Sequence, residues 1–314
     1  MIKSNAENSS TPTRLSLMVF KGVQNLPLLA AQEKGFLTRR GLVLDIEIAP
    51  NSMVLRDGLA SGRFQIVHTA VDNALAMVDQ AHVDVAVILG GDNSFNALYV
   101  QPDIKGYEDL RGQHVIVDAL DTAYGLMLYA MLNRKGIGRD DYSVTSVGAT
   151  HLRIAAMLQD PSIKASIMNP PYSIMAERAG LKRLDLAADV LGPYLGTSAF
   201  VLRQWAASNR DIVVRYLRAY IEGARWALDP ANRDEAIAMT MKAVDVPHDI
   251  AAASYAIAVD PQHGMARDAA LDGAALANVI GLRAAFDGRT EVPPIERYFD
   301  SSFYDQAIAS LPPR

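Results

Sequence analysis

The stretch "LASGRFQIVHTAVDNALAM", residues 59–77, contains the local pattern that decides the fold. Residues 64–68 form a short apolar run that ends in a histidine, which is typical of a buried strand. Residues 70–80 then carry apolar side chains at helical spacing, so we predict a helix there. A strand that leads directly into a helix is the repeating step of a parallel α/β sheet.

The same strand-to-helix step recurs along the chain. Strands are predicted at residues 15–20, 43–48 and 83–89, and helices at residues 27–34 and 54–60. A second series has strands at residues 114–117, 142–147 and 163–168, and helices at residues 122–135, 151–159 and 172–179. We therefore predict an α/β protein with two doubly wound units, joined by strand-like segments at residues 96–101 and 198–202. A predicted capping box at residues 208–211 then begins a long helix, and the chain is mostly helical beyond it.

Length and composition limit the classes of protein to which the chain can belong. With 314 residues, half of them hydrophobic, it can bury a large core and form two domains of ordinary size. Its 30 Lys and Arg against 35 Asp and Glu include no basic block, which argues against nucleic-acid binding. The absence of cysteine excludes thiolate catalysis, cysteine-ligated zinc and disulfides. The six histidines show no metal-binding spacing, so we expect no metal and no other cofactor.

The first residues, "MIKSNAENSSTPTR", are polar and lack the apolar core of a secretory signal. Ser4, Asn5 and Ala6 resemble a cloning remnant, and we predict residues 1–12 to be a disordered lead-in to a mature domain. On this interpretation a native signal peptide preceded the mature chain. The alternative is a cytosolic protein with a disordered tail.

Five segments, in chain order, carry a family resemblance: "PLLAAQEKGFLTRRGLVLDI", "LASGRFQIVHTAVDNALAM", "YEDLRGQHVIV", "IAAMLQDPSIKASIMNPPYSIMAERAGL" and "DIVVRYLRAYIEGARWAL". Each segment is weakly specific by itself. Their order and spacing over residues 15–245 resemble those of the periplasmic substrate-binding proteins of ABC importers. The similar branch is the NMT1-like one, which includes binders of sulfonates, nitrate, taurine and thiamine-pyrimidine precursors.

The resemblance implies a type II periplasmic binding protein fold, in which two α/β lobes are joined by two crossing strands. Residues 13–98 and 203–314 would form lobe 1, and residues 103–197 would form lobe 2. The chain would capture a small organic molecule in the cleft by hinge closure, without catalysis, and deliver it to an ABC permease in the membrane with its ATPase. We expect a monomer that is periplasmic, or cytoplasmic if the N-terminus is native.

Candidate ligand-binding residues are those in loops at the carboxyl ends of the predicted strands, where open α/β sheets bind ligands. They are Lys21, Gln24, Asn25, Asn51, His68, Thr69, Asn73 and Asp92 in the first unit, Asp118, Thr122, Tyr124, Asn169 and Tyr172 in the second, and Tyr194 near the return connection. The tyrosines are the stronger aromatic candidates, since each lies beside a predicted loop. Phe20 and Phe95 are more readily explained as core residues.

His68 and Asp72 are four residues apart, and on a helix they would face each other as a base and its orienting carboxylate. The preceding strand argues against this dyad, because it places His68 at a strand end. Thr69 and Asp72 also fit a capping box at the next helix, which would give Asp72 a structural role. A third alternative is that Asp72 faces the ligand. We predict no catalytic residues.

Asp118 and Asp121 pose a similar choice, because paired carboxylates can perform acid and base steps. Asp121 or Thr122 is better explained as the N-cap of the next helix, which leaves Asp118 as the ligand contact. Together with Asp72 and Asp92, Asp118 would repel a naked inorganic anion unless cationic groups offset the carboxylates. We therefore expect an organic ligand with donor groups.

Two other functions stay open at the level of sequence. An enzyme on the same fold, such as a desulfinase, a decarboxylase or a pyrimidine-precursor synthase, would use His68 and the aspartates as acid and base. The desulfinase and synthase patterns use cysteine, which this chain lacks. A soluble ligand sensor coupled to another protein is the third alternative.

Overall fold

A computed structural model describes residues 11–313, and the predictions for residues 1–10 lie outside it. The strands of the described chain are β1 (Thr13–Val19), β2 (Leu42–Ile48), β3 (Ile66–Ala70), β4 (Val85–Leu89), β5 (Ala97–Val100), β6 (His114–Val117), β7 (Ser143–Ser146), β8 (Ile163–Met168), β9 (Lys182–Leu186) and β10 (Thr197–Leu202). The α-helices are α1 (Leu26–Glu33), α2 (Ser52–Ala60), α3 (Asp72–Asp79), α4 (Ala123–Arg134), α5 (Thr150–Gln159), α6 (Tyr172–Arg178), α7 (Ala187–Leu191), α8 (Arg203–Ser208), α9 (Arg210–Ala227), α10 (Arg233–Val244), α11 (His248–Ala258), α12 (Gly273–Phe286) and α13 (Ser301–Ile308).

The strands form two five-stranded sheets of the same design. The first sheet has the order β2-β1-β3-β10-β4, and the second has the order β7-β6-β8-β5-β9. In each sheet the first three strands in this order are parallel, and the fourth runs antiparallel to both of its neighbours. The predicted α/β class with two doubly wound units is therefore confirmed. We call each sheet, with the helices that pack on it, the first and the second lobe.

The chain crosses between the two sheets twice. Residues 90–96 lead from β4 of the first sheet to β5 of the second. Residues 187–196, which include α7, lead back from β9 to β10. The strand-like segments at residues 96–101 and 198–202, predicted to join the two units, are instead β5 and β10, which are strands within the sheets; the connections are the crossings that precede them.

Helices α1, α9 and α13 pack on one face of the first sheet. Leu17 of β1 and Tyr216 and Leu217 of α9 are completely buried in this cluster. Helix α9 approaches α1 so closely that a Cβ on Gly223 would lie 2.1 Å from the carbonyl oxygen of Pro27. Burial of this apolar surface fixes α9 against the sheet, and so fixes the tyrosines that α9 directs toward β3.

Both capping boxes predicted from the sequence are wrong. Strand β3 continues to Ala70, so Thr69 lies within the strand and α3 begins without a side-chain cap. Helix α9 begins at Arg210, and the Asn209 amide before it donates to the Trp205 carbonyl at 2.9 Å instead of capping the helix. Four short elements, β9, α7, α8 and α13, had no prediction.

No helix within residues 11–313 is both long enough and apolar enough to cross a membrane.

Candidate ligand-binding cleft

A cleft lies between the two lobes, and about 770 Å³ of space free of protein atoms falls within it when the open solvent at its mouth is included. Its walls come from the carboxyl ends of strands in both sheets and from both crossings, as expected for open α/β sheets. Ten of the predicted site residues line this cleft: Lys21, Gln24, His68, Thr69, Asn73, Asp92, Asp118, Tyr124, Asn169 and Tyr172. The two sheets therefore bring together residues separated by up to about 150 positions in the chain.

Four predicted site residues do not line the cleft. Asn25 donates to the carbonyl oxygen of Phe20 at 2.6 Å. Asn51 caps α2 by accepting the Val54 N–H at 2.9 Å. Thr122 is completely buried and donates to Asp118 and to the Ala119 carbonyl. Tyr194 is buried within the second crossing and lines a separate pocket.

His68 and Asp72 form no dyad. His68 lies inside β3, and its Nε2 is 2.5 Å from the Tyr216 hydroxyl, while its ring stacks on Tyr220 at a centroid distance of 5.1 Å. Burial lowers the pKa of His68 to about 3, so the ring is neutral at physiological pH. Asp72 points away from the cleft and accepts a 3.3 Å hydrogen bond from the buried Arg283 guanidinium. Its role is structural, through this ion pair and not through a helix cap.

Asp92 joins the two crossings. One of its carboxyl oxygens accepts the backbone N–H of Ser94 in the first crossing, and the other accepts that of Thr197 at the end of the second, both at 2.9 Å. Its backbone carbonyl also accepts the Gly196 N–H at 3.0 Å. Burial raises the pKa of Asp92 to about 6, against the opposing effect of the two N–H donors. Asp92 thus lines the cleft and ties together the two connections on which the lobes would hinge.

Asp118 provides the carboxylate of the second lobe. Its two oxygens accept hydrogen bonds from the hydroxyls of Ser52 and Thr122. Ser52 belongs to α2 in the first lobe, so the Ser52–Asp118 bond crosses the cleft. Asp121, the other carboxylate considered, lies outside the cleft with one oxygen 3.6 Å from Arg56.

Arg153 is a lining residue that the sequence did not suggest. It is completely buried and donates to the hydroxyls of Ser166 and Thr150 and to the carbonyls of Gly148 and Ile167 at 2.6–3.0 Å. Its guanidinium lies 4.8 Å from the ring centroid of Tyr124. Burial lowers its pKa, which the negative charge of Asp118 opposes. The sequence pattern that could have indicated this residue is an arginine on the apolar face of α5, one residue before the buried Ile154.

Other polar lining residues that were missed are Asn96, Thr150, His151 and Thr197. Most of them lie at helix starts or at the ends of the crossings, so their strand-end position was the signal that could have found them. Phe20 and Phe95, which we predicted as core, both line the cleft, although Phe95 also packs against Val23 and Met265.

Two amide side chains of the first lobe leave acceptors without partners. Gln24 donates its Nε2 to the Phe20 carbonyl at 3.1 Å, and Asn73 places its Nδ2 3.4 Å from the Ala70 carbonyl. Because a carbonyl can only accept, these contacts assign the nitrogen and therefore the oxygen of each amide. Gln24 Oε1 and Asn73 Oδ1 are buried and have no hydrogen-bond partner.

The cleft holds cationic and anionic side chains together. Lys21 and Arg153 are the cations that line it, and Asp92 and Asp118 are the carboxylates. Over residues 11–313 there is no cluster of three or more His, Asp or Glu side chains suited to a metal ion. The cleft is thus equipped to hydrogen-bond a polar organic molecule between aromatic side chains.

Residues 23–233 match the family model described as NMT1/THI5 like. The chain belongs to this family. The NMT1/THI5-like branch expected from the sequence is therefore confirmed. No curated protein matches the chain.

Several solved structures have folds similar to that of this NMT1/THI5-like chain. The periplasmic nitrate-binding protein NrtA from Synechocystis PCC 6803 is similar with a TM-score of 0.79 at 12% identity, over 96% of this chain and 89% of that one. The periplasmic aliphatic sulphonate binding protein SsuA from Escherichia coli has a TM-score of 0.71 at 19% identity, over 92% of each chain. The desulfurization enzyme DSZB has a TM-score of 0.63 at 15% identity, over 94% and 99%. These similarities establish the periplasmic binding protein fold.

Proposed function

We propose that this chain is the solute-binding component of an ABC importer, which captures a small organic molecule by closure of its two lobes and performs no chemistry on it. The observation that carries the proposal is the composition of the cleft wall. Both lobes and the first crossing contribute buried polar side chains to one space, and Gly196 of the second crossing also lines it. Such a site is complete only when the lobes are together, so ligand binding stabilises the closed shape.

The closed form would be the one that an ABC permease with its ATPase recognises, and the chain would act as a periplasmic monomer. The hinge would consist of the two crossings, residues 90–96 and 187–196. We propose the lobes expected from the sequence, residues 13–98 with 203–314 and residues 103–197, with β5 assigned to the second lobe and β10 to the first. The shared fold with NrtA and SsuA supports the proposal, since both are named as periplasmic binding proteins.

The ligand classes we propose are sulfonates, aromatic acids and pyrimidine-like molecules, with donor groups favoured. Gln24 Oε1 and Asn73 Oδ1 are buried acceptors without partners, and leaving them unpaired costs free energy. A ligand N–H or O–H would satisfy them. Nitrate, for which NrtA is named, carries acceptors alone and would meet two carboxylates in this cleft.

Native mass spectrometry of the purified protein, followed by thermal-shift screening of the compound classes above, tests the proposal. A tight ligand at ~100 times its Kd should add about 2.7 kcal/mol to the free energy of unfolding, which is large enough to raise Tm measurably. Asp118→Ala and Tyr172→Ala should weaken binding of the compound found and leave the fold intact. Asp140→Ala, an exposed position of the second lobe, is the matched control.

The alternative is an enzyme on the same fold, as DSZB is named. His68→Ala separates the two functions, because it should change ligand affinity in a binding protein and abolish turnover in an enzyme. Chemical conversion of the bound compound by the wild-type protein, lost in His68→Ala, would replace the transport proposal with catalysis.

A further inference from the structure

His68 is held between the cleft and two tyrosines of α9. Tyr216 and Tyr220 are one helical turn apart, and both lie against the His68 ring. Tyr216 makes the hydrogen bond to Nε2, and Tyr220 provides the stacking surface. Nδ1, the second ring nitrogen, has no hydrogen-bond partner among residues 11–313, and His68 lines the cleft. The ring therefore carries one nitrogen that is engaged and one that is free for a ligand.

A neutral histidine has two tautomers, and they present opposite chemistry to the cleft. With the proton on Nδ1, the free nitrogen is a hydrogen-bond donor. With the proton on Nε2, the free nitrogen is an acceptor. Which tautomer forms depends on the hydrogen bond that the other nitrogen makes. The Tyr216 hydroxyl therefore decides what His68 offers to a ligand.

The surroundings of Tyr216 determine which of the two residues donates this hydrogen bond. Tyr216 is completely buried, and burial raises the pKa of its phenol, so the hydroxyl keeps its proton at neutral pH. His68 Nε2 is its hydrogen-bond partner within the described residues. If Nε2 donated to the phenol oxygen, the hydroxyl proton would be buried without an acceptor, which is unfavourable. If the hydroxyl donates to Nε2, the buried hydroxyl proton has an acceptor, and the Nδ1 proton is left for a ligand in the cleft.

We infer that Tyr216 holds His68 as the neutral Nδ1–H tautomer, so that the first lobe donates one hydrogen bond into the cleft. This inference deepens the proposed function and rests on it for the role of the cleft. Tyr216 is then a positioning residue for specificity, although it does not itself line the cleft. Its effect on a ligand passes through the proton of His68.

The tautomer limits the functional groups that a matching ligand can carry. The first lobe then presents a neutral donor, His68 Nδ1–H, beside the lining residues Gln24 and Asn73, whose amide oxygens are buried and unpaired. A ligand that carries both an acceptor and donors, as a carboxamide does, complements this set. A simple oxyanion would satisfy the donor and leave both acceptors unmatched.

Long-range ¹H–¹⁵N correlation spectra of the full chain, labelled with ¹⁵N-histidine, test the inference without any ligand. The His68 signals, assigned from their absence in His68→Ala, should show a protonated Nδ1 and an unprotonated Nε2, unchanged from pH 5.5 to pH 8. A protonated Nε2 in the wild-type protein overturns the inference, whatever the variants show.

Two tyrosine variants form a matched pair. Tyr216→Phe removes the hydroxyl that bonds Nε2 and should convert the His68 pattern to a mixture of tautomers or to Nε2–H. Tyr220→Phe removes a hydroxyl but keeps the stacked ring, and should leave the pattern unchanged. A Tyr216→Phe spectrum identical to wild type would show that Tyr216 does not set the tautomer.

The inference and the proposed function fail separately. If His68 is the Nδ1–H tautomer but thermal-shift screening of sulfonates, aromatic acids and pyrimidines finds no ligand, the inference about the proton stands and the proposed function does not. If a compound binds and His68 carries its proton on Nε2, the function stands and the inference does not.

Discussion

The Ser52 hydroxyl donates a 3.0 Å hydrogen bond to Oδ2 of Asp118, and this bond joins the two lobes across the cleft. Arg56, one helical turn after Ser52, lies 3.6 Å from Asp121, so the same rim carries a second contact between the lobes. On another rim, Arg178 of α6 pairs with Asp249 of α11. The described conformation is therefore a closed one, held by contacts between protein groups.

Removing the Asp118 carboxylate should favour the open form. Asp118→Ala loses the Ser52 bond, and a hydrogen bond to a charged group contributes about 1.5–3 kcal/mol, so the ratio of closed to open ligand-free protein should fall roughly tenfold or more. Small-angle X-ray scattering would detect a larger radius of gyration. Asp140→Ala, on the exposed surface of the same lobe, should scatter as wild type does. Equal radii for Asp118→Ala and wild type would argue against a latch at this position.

Asp92→Asn should change how stability depends on pH. The folded-state pKa of Asp92 is about 6, above the value of 3.8 for an unperturbed aspartate. Between pH 4 and pH 6 the unfolded chain therefore loses this proton while the folded chain retains it, so the free energy of unfolding falls as pH rises. The amide introduced by the substitution does not titrate, so the variant lacks this contribution.

From pH 4 to pH 7 the free energy of unfolding of Asp92→Asn should therefore rise relative to that of wild type by roughly 2.5 kcal/mol. Urea titrations at several pH values measure the difference. Its change with pH is the informative quantity, because the asparagine also loses one of the two N–H contacts at every pH. A difference that is constant with pH would show that Asp92 is ionised with an ordinary pKa.

Arg153→Met should destabilise the second lobe. The substitution leaves four buried acceptors without their donor, including the hydroxyl of Ser166 and the carbonyl of Ile167. We expect the free energy of unfolding to fall by about 3 kcal/mol or more, measured by urea denaturation. Arg134→Met, at an exposed position of α4, should change it by less than about 0.5 kcal/mol. Comparable effects of the two substitutions would show that the buried network is dispensable.

Substitution of two helical glycines by alanine should change Tm in opposite directions. In Gly223→Ala the new Cβ would lie 2.1 Å from the Pro27 carbonyl oxygen, so α1 and α9 must separate at a cost of about 1–3 kcal/mol. In Gly281→Ala the Cβ meets nothing within 4 Å, and the better helix propensity of alanine should add up to about 1 kcal/mol. Differential scanning calorimetry should show Tm falling in the first variant and rising in the second. A rise in both would mean that the α1–α9 contact adapts easily.

Strands with apolar runs and clear ends were predictable from the sequence. Strands β6 and β8 have the predicted bounds, because their apolar residues are flanked by polar ones. Strand β9, "KRLDL", is polar and half exposed at a sheet edge, so no local pattern marks it. The end of β3 was missed because its last residues pair with β10, as Thr69 does with Ser198.

The residues that line the cleft were more predictable from the sequence than the partners with which they form hydrogen bonds. Strand-end position alone found His68, Asp92 and Asp118, since parallel strands direct their carboxyl ends to one edge. The partners of these groups were not predictable. Asp72 meets Arg283 from 211 positions away, and His68 meets Tyr216 from 148 positions away. Local spacing suggested that His68 pairs with Asp72. In the fold, each of these residues instead contacts a residue that is distant in the chain.

The position of β10 between β3 and β4 has a consequence for biosynthesis. The second sheet is a continuous piece of chain and is complete once Leu186 has been made. The first sheet lacks its connecting strand until Leu202 is made, so β4 has no neighbour within it before then. On a ribosome the inserted lobe therefore has all its strands first, and the lobe that begins the chain is the last to close its sheet.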